Sequence, residues 1–219
     1  GASMIACKDA DAMVTGNIRH YAASIEKLKK VTEPRPGEEI FGMTMITLGG
    51  KTILVADTNV QDFPSPERLV KVSKSCVRVA RLFGFDPKVA FLSHSTFGKP
   101  ISKNTKHVRD AIDLLRKEKV DFDFDGEMQP DVALNPIYQD IYPFSKIVGN
   151  ANILIMPALH SAAISTKLMK VFGGGKLIGP LLIGLGSPIE VAPLRASTSE
   201  ILNLASIAAY SSDVIDYNN

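Results

Sequence analysis

Apolar positions recur along this chain at two spacings, and the two take turns. Ile153, Leu154, Ile155 and Met156 form an unbroken apolar run, the pattern of a strand buried on both faces. Pro157 follows and cannot donate to a central ladder, so it ends the strand. Beyond the polar pair His160-Ser161, residues Ile164, Leu168 and Val171 recur at helical spacing as far as Gly173-Gly174-Gly175. This predicts a helix that packs that stripe and closes at a glycine cap. Strand, polar corner and helix make one βα unit.

The same alternation holds on either side of it. Asp11 to Gly16 reads as a short strand, then Ile18, Tyr21, Ile25 and Leu28 share a helix face ahead of Lys29 and Lys30, cations that suit a helix carboxyl end. Residues 40–48 and 52–56 are β-rich and meet at Gly49-Gly50, a hairpin signal. Ser65 and Pro66 open the clearest helix as N-cap and first-turn proline, with Leu69, Val72, Cys76, Val79 and Phe83 as its stripe. Val89 to Leu92 is a strand running into Ser93-His94-Ser95-Thr96, and Val108, Ile112 and Leu115 mark the next helix. Residues 120–125 alternate apolar and acidic side chains, predicting a strand with one wet face that exits at Gly126-Glu127. Residues 176–178, 181–185 and 189–192 are β-like, the first two parted by Gly179-Pro180. Ser197 and Glu200 form a capping box for a last helix packing Ile201, Leu204, Ala205 and Ala208, and residues 216–219 are a polar tail.

Alternating strands and helices predict an α/β fold with a mainly parallel sheet and an antiparallel hairpin over residues 39–57. Ligands of such sheets sit outside the carboxyl ends of the strands. Five exits here are polar: Thr15-Gly16, Asp57 to Asn59, Ser93 to Thr96, Asp125 to Glu127, and His160-Ser161. They are expected to line one crevice, and its hydroxyls and amides suit a phosphorylated ligand.

Composition narrows this reading. The 219 residues carry 25 Lys+Arg against 23 Asp+Glu, a net charge of +2 without a basic stripe, which argues against nucleic acid. No apolar run approaches the roughly 20 residues of a membrane span. The two cysteines, Cys7 and Cys76, are not spaced for a disulfide framework and fit a reducing cytoplasm. The four histidines are scattered without carboxylates at ligand spacing, so no metal site is expected. Phe97-Gly98-Lys99-Pro100 lacks the phosphate-loop spacing, and no nucleophile elbow is present. Gly173 to Gly175 follows a helix where a dinucleotide fingerprint would open one.

Several segments resemble the phosphate acetyltransferase and phosphate butyryltransferase family in order and spacing. They are DADAMVTG at 9–16, the Ser93–Thr96 run, DGEMQPDVA at 125–133, GNANILIMP at 149–157 and GPLLIGLGSP at 179–188. Within that family, LSHSTFG, DGEM, ANILIMP and YPF resemble the acetyltransferase-like tail of bacterial NADP-dependent malic enzymes. The resemblance implies a two-lobed, three-layer fold related to the isocitrate dehydrogenase architecture, with lobes at 1–87 plus 192–219 and at 88–191. It implies a carboxyl-terminal region of a longer chain, with part of the first lobe missing, and a homodimer. NADP and a divalent metal would belong to the missing malate-oxidising part of the same chain, with no cofactor in this region.

The family's catalytic charges are not carried over. Its L-S-R-G-x-S-x-x-D run places Pro193 and Leu194 where the family has Ser and Arg, with Arg195 one residue late and Glu200 at the Asp. Its H-S-T-x-x-x-x-R run becomes Arg19-His20-Tyr21, with Glu26 at the arginine. A guanidinium at the reacting oxygens is worth roughly 3 kcal/mol of barrier or more. The resemblance therefore implies a regulatory domain that binds acetyl-CoA or CoA as effector and mediates oligomerisation. An active acyltransferase using Arg195, or a purely structural module, are the other readings. Expected ligand contacts are Ser95, Thr96, Lys99, His160, Ser161, Lys167 and Arg195.

Overall fold

The structure is a computed structural model that describes residues 1–57, 60, 62–100 and 103–215. In chain order its elements are α1 (Ala2–Ala6), β1 (Met13–Gly16), α2 (Tyr21–Leu28), β2 (Phe41–Leu48), β3 (Lys51–Ala56), α3 (Pro66–Leu82), β4 (Lys88–Leu92), α4 (Lys106–Glu118), β5 (Asp123–Met128), α5 (Pro130–Leu134), β6 (Ile153–Ile155), α6 (Leu159–Phe172), β7 (Lys176–Ile183), β8 (Ile189–Ala192) and α7 (Thr198–Val214). Thr58, Asn59 and the 216–219 tail lie outside the described residues.

A six-stranded sheet runs β5-β4-β6-β3-β2-β7, and β1 pairs β8 in a separate parallel ribbon. Only β2 runs against the other five strands, because both its neighbours pair with it antiparallel. The fold is therefore the expected mainly parallel α/β sheet with its hairpin. The expected lobe boundary between residues 87 and 88 falls within this sheet, where β3 hydrogen-bonds β6.

Period-2 alternation divides the central strands between two cores. Leu54, Ala56, Val89, Phe91, Ile153 and Ile155 face α3 and α4. Val55, Ala90, Leu92, Leu154 and Met156 face the other way, with Val132, Ile147 and Ala162. A smaller third core joins Ile5, Ile25, Leu28, Ile40, Ile189 and Val191. Ser65 caps α3 through the Arg68 N–H, and Ser197 and Glu200 complete their capping box.

Four details differ from the sequence reading. Ile18 precedes α2 and is exposed. Residues 176–183 form one strand, with Gly179-Pro180 at a bulge opposite Thr44, a place an edge strand allows for proline. On α7, Ala205 points to solvent and Ile207 packs inward. The outermost strand, β5, starts only at Asp123, because α4 closes on a left-handed Lys119 and Asp121 is held in the connection by Arg81 at 3.0 Å. It then runs on through Gly126-Glu127 instead of exiting there.

A carboxyl group is also buried in the core. Glu190 on β8 is 4% exposed and accepts the Leu182 N–H at 2.8 Å. Burial pushes it from 4.5 up to about 8, with the Leu182 N–H pulling the other way. Folding thus holds a proton that the unfolded chain releases, so this contribution is full below pH 4.5 and is lost as pH rises toward 8. Over that window stability should fall by up to about 1.4 kcal/mol per pH unit relative to Glu190→Gln. Urea melts of the two proteins from pH 5 to 9 test this, and parallel curves would refute it.

Candidate functional site

Two adjacent strands decide where the site lies. The chain leaves β4 toward α4 on one face and on to β5, whereas it leaves the neighbouring β6 toward α6 on the opposite face and on to β7. Their carboxyl ends part company, and such a switch point opens a crevice between them. A cavity of about 760 Å³ lies there, lined by Leu92 at the end of β4, Ser93 and His94 beyond it, Met156 to Ala158 after β6, His107 of α4, and His160, Ser161 and Ser165 of α6. Phe63, Asn104, Thr105 and Pro130 complete the wall.

Its β4 side is shaped by a bulge on β5. Phe91 pairs Gly126 but Leu92 pairs Met128, so Glu127 is the extra residue and is aimed out of the ladder. Gly126 is required: its φ is +144° and a Cβ there would lie 2.6 Å from the Phe91 carbonyl. The Glu127 carboxylate, 1% exposed, accepts from Ser95 Oγ at 2.9 Å, the Gly98 N–H at 3.0 Å and Arg109 at 3.3 Å. Thr96 Oγ1 accepts the Gln129 N–H at 3.1 Å, and the Gln129 side chain donates to the His94 carbonyl at 2.6 Å. One buried carboxylate and one amide side chain thus hold the whole Ser93–Gly98 loop.

A second cavity, of about 370 Å³, lies along α6. Ala163, Thr166, Lys167 and Lys170 face His20, Tyr21, Thr44, the Gly179-Pro180 bulge, Pro193, Leu194 and Glu200. Lys170 donates to Glu200 at 2.7 Å, and the same carboxylate accepts the Ser197 N–H and hydroxyl at 2.8 and 2.9 Å. These hold the Glu200 carboxyl down to about 2, the lysine bond being the largest cause. A carboxylate so engaged as a helix cap is unsuited to proton transfer at neutral pH.

The expected ligand residues therefore divide. His160 and Ser161 share the switch-point cavity with Ser93 and His94, while Lys167 lines the second cavity. Ser95 and Thr96 are buried, with their hydroxyls committed to Glu127 and Gln129. Lys99 is exposed, and Arg195 is exposed with a left-handed φ of 57°, outside both linings. Of the five polar exits, Ser93-His94 and His160-Ser161 meet. Thr15-Gly16 belongs to the separate ribbon and Asp125-Glu127 to the outermost strand. Sequence reasoning missed Phe63, Asn104 and His107, which no local pattern marks. It placed Glu127 at a polar exit, and its position as a buried residue inside the strand was not legible because Asp-Gly reads as a turn. Among the described residues no group of three or more His, Cys, Asp or Glu could hold a metal, and no helix is long and apolar enough to cross a membrane.

Residues 1–209 match the phosphate acetyl/butaryl transferase family. The chain belongs to that family. It is 44% identical over 95% of its length to the NADP-dependent malic enzyme of Rhizobium meliloti, and 36% identical over 95% to that of Escherichia coli. It spans only 28% of each of those proteins. The phosphate acetyltransferase of Bacillus subtilis is 28% identical over 91% of this chain, which spans 62% of it. Among solved structures, a phosphotransacetylase from Streptococcus pyogenes superposes with a TM-score of 0.91 at 28% identity, over 97% of this chain and 66% of that one. A 4-hydroxythreonine-4-phosphate dehydrogenase from Klebsiella pneumoniae shares the fold alone, at 13% identity and a TM-score of 0.56.

Removing the Glu127 side chain takes away the acceptor shared by Ser95 Oγ, the Gly98 N–H and Arg109. Glu127→Ala should lower stability by about 3 kcal/mol in denaturant melts, and Glu127→Gln by less, since the amide oxygen still accepts. Equal losses would show that the packing matters and the hydrogen bonds do not.

Proposed function

We propose that this chain is the effector-binding domain of an NADP-dependent malic enzyme, which takes acetyl-CoA or CoA and passes inhibition to a malate-oxidising part of the same chain. The observation that carries it is the second cavity. Where the resemblance aligns a serine and an arginine, Pro193 and Leu194 form its wall, and among the described residues no arginine lines it. Its nearest cations are Lys167 and Lys170, and Lys170 is neutralised by Glu200. Glu26, at the other family arginine, is exposed and outside the lining. A pocket kept without its guanidinium groups retains binding while losing the charge that stabilises an acyl-transfer transition state. NADP and a divalent metal are assigned to the malate-oxidising part, and the two free cysteines suit a cytoplasmic home.

Such a domain must act through an interface, because coupling needs two states that the effector binds unequally. Helix α6 supplies one. It buries Ala162 and Thr166, while Ile164, Leu168, Val171 (75% exposed) and Phe172 (82% exposed) stand on its outer side. The expected core stripe is thus outside, and a second copy pairing along it forms the dimer. Ligand held by His160, Ser161 and Lys167 would then touch the same helix that meets the partner.

Calorimetry should show acetyl-CoA binding at micromolar concentration, and a coupled assay with acetyl phosphate and CoA should show no turnover. Rapid turnover abolished by Arg195→Ala would replace this reading with an active acyltransferase. A dimer that binds neither acetyl-CoA nor CoA would leave a structural module. Val171→Asp combined with Phe172→Asp should convert dimer to monomer in sedimentation velocity, with circular dichroism showing the monomer still folded because both side chains are exposed within one copy.

A further inference from the structure

The β1–β8 ribbon is tied to the six-stranded sheet by a side chain where another strand would otherwise pair. β7 is an edge strand of that sheet, with Leu182 opposite Gly42 of β2. The Leu182 N–H goes to Glu190 Oε2 on β8 at 2.8 Å. A second tie joins the same parts, from the Tyr21 hydroxyl of α2 to the Pro180 carbonyl of β7 at 3.4 Å. Glu190 is buried, and no cation is among the groups that set its ionisation. The elements packed against β8 are β1, α2, β7 and α7. Strand β1 has no charged residue, while Glu26 and Lys27 of α2, Lys176 of β7 and Asp213 of α7 are exposed. Glu200 of α7 is bound to Lys170. Tyr21 is the titratable side chain that faces Glu190: burial, then the charges of Glu190 and Asp57, push its phenol well above the ordinary value. An ionised Glu190 thus finds no counter-charge, and it needs water to supply the missing donors. Water reaches it when β8 parts from β7.

We propose that Glu190 is a proton-operated clasp between ribbon and sheet, closed while its carboxyl is neutral and released when the carboxyl ionises. Tyr21, Gly179 and Pro180 line the second cavity, so release frees one wall of that cavity whatever ligand it takes. The direction in pH follows from linkage. The closed carboxyl titrates at about 8, and an opened one returns to the ordinary 4.5. The open population therefore rises about tenfold per pH unit between those values and levels off above the higher one. Opening is local, so it costs less than unfolding the whole chain and exposes little new surface.

The test is native-state hydrogen exchange of the intact chain and of Glu190→Gln, followed by NMR at several pH values and low urea concentrations. After correction for ordinary base catalysis, exchange at the Leu182 amide should quicken about tenfold per pH unit between pH 6 and 8. In Glu190→Gln, which keeps an acceptor that cannot ionise, it should stay level. The quickened exchange should depend far less on urea than exchange at Leu154 in β6, because the opening is small. Equal urea slopes at Leu182 and Leu154 would mean that Glu190 acts through global stability alone, and would overturn the clasp. The wild-type chain supplies two further checks that need no variant. A carbon-13 titration of the Glu190 carboxyl should give a midpoint near 8, and one near 4.5 would overturn the proposal. The Tyr21 ring resonances should shift with the same midpoint, and resonances that stay fixed would sever the clasp from the second cavity.

Discussion

Strand β6 is buried on both faces and hydrogen-bonded on both edges, between β4 and β3. Everything functional about the fold depends on that position. A strand enclosed in this way can send its chain out only at its end, and the helices needed to cover the two sheet faces pull the exits of β4 and β6 apart. The crevice between them follows from covering both faces of one parallel sheet. The side chains that line it follow from which residues happen to stand at the two exits.

The exits are held open by polar groups that are themselves buried. Glu127 is expelled from its ladder by one extra residue and then satisfied by a hydroxyl, an amide and a guanidinium. A carboxylate so deep is tolerable only because its hydrogen bonds are made, and losing one partner exposes the desolvation cost of the rest. This explains why Ser95 and Thr96, which look like a phosphate cradle in one dimension, serve as struts in three. Their hydroxyls face the protein, and the cavity takes its polar character from their neighbours Ser93 and His94.

The second cavity shows the same economy of charge in another form. Glu200 caps α7 and binds Lys170, so the two ends of that contact cancel. Next to it Pro193 and Leu194 are apolar. The family's fold is present, and this cavity sets a self-contained ion pair beside a hydrophobic corner. Both cavities flank α6, and that helix carries its apolar stripe on its outer side. Both cavities and the exposed apolar stripe therefore meet on one element.

Local pattern determined much of this protein. The order of the longer strands and helices, without the short α1 and α5, was legible, as were the two-faced burial of residues 153–156, the hairpin at Gly49-Gly50, and the caps at Ser65 and Ser197, because each depends on residues near one another in the chain. Tertiary structure alone decided which face of α6 is covered. Ile164, Leu168 and Val171 have the spacing of a core stripe, yet the small Ala162 and the self-bonded Thr166 let the helix settle on its other side. It also decided that Gly126-Glu127 continues a strand, and that Phe63, Asn104 and His107 meet His160. Periodicity reports that a helix has two faces and a glycine permits a turn; which face is buried and which partner arrives depend on contacts between distant residues, and those exist only once the chain has folded.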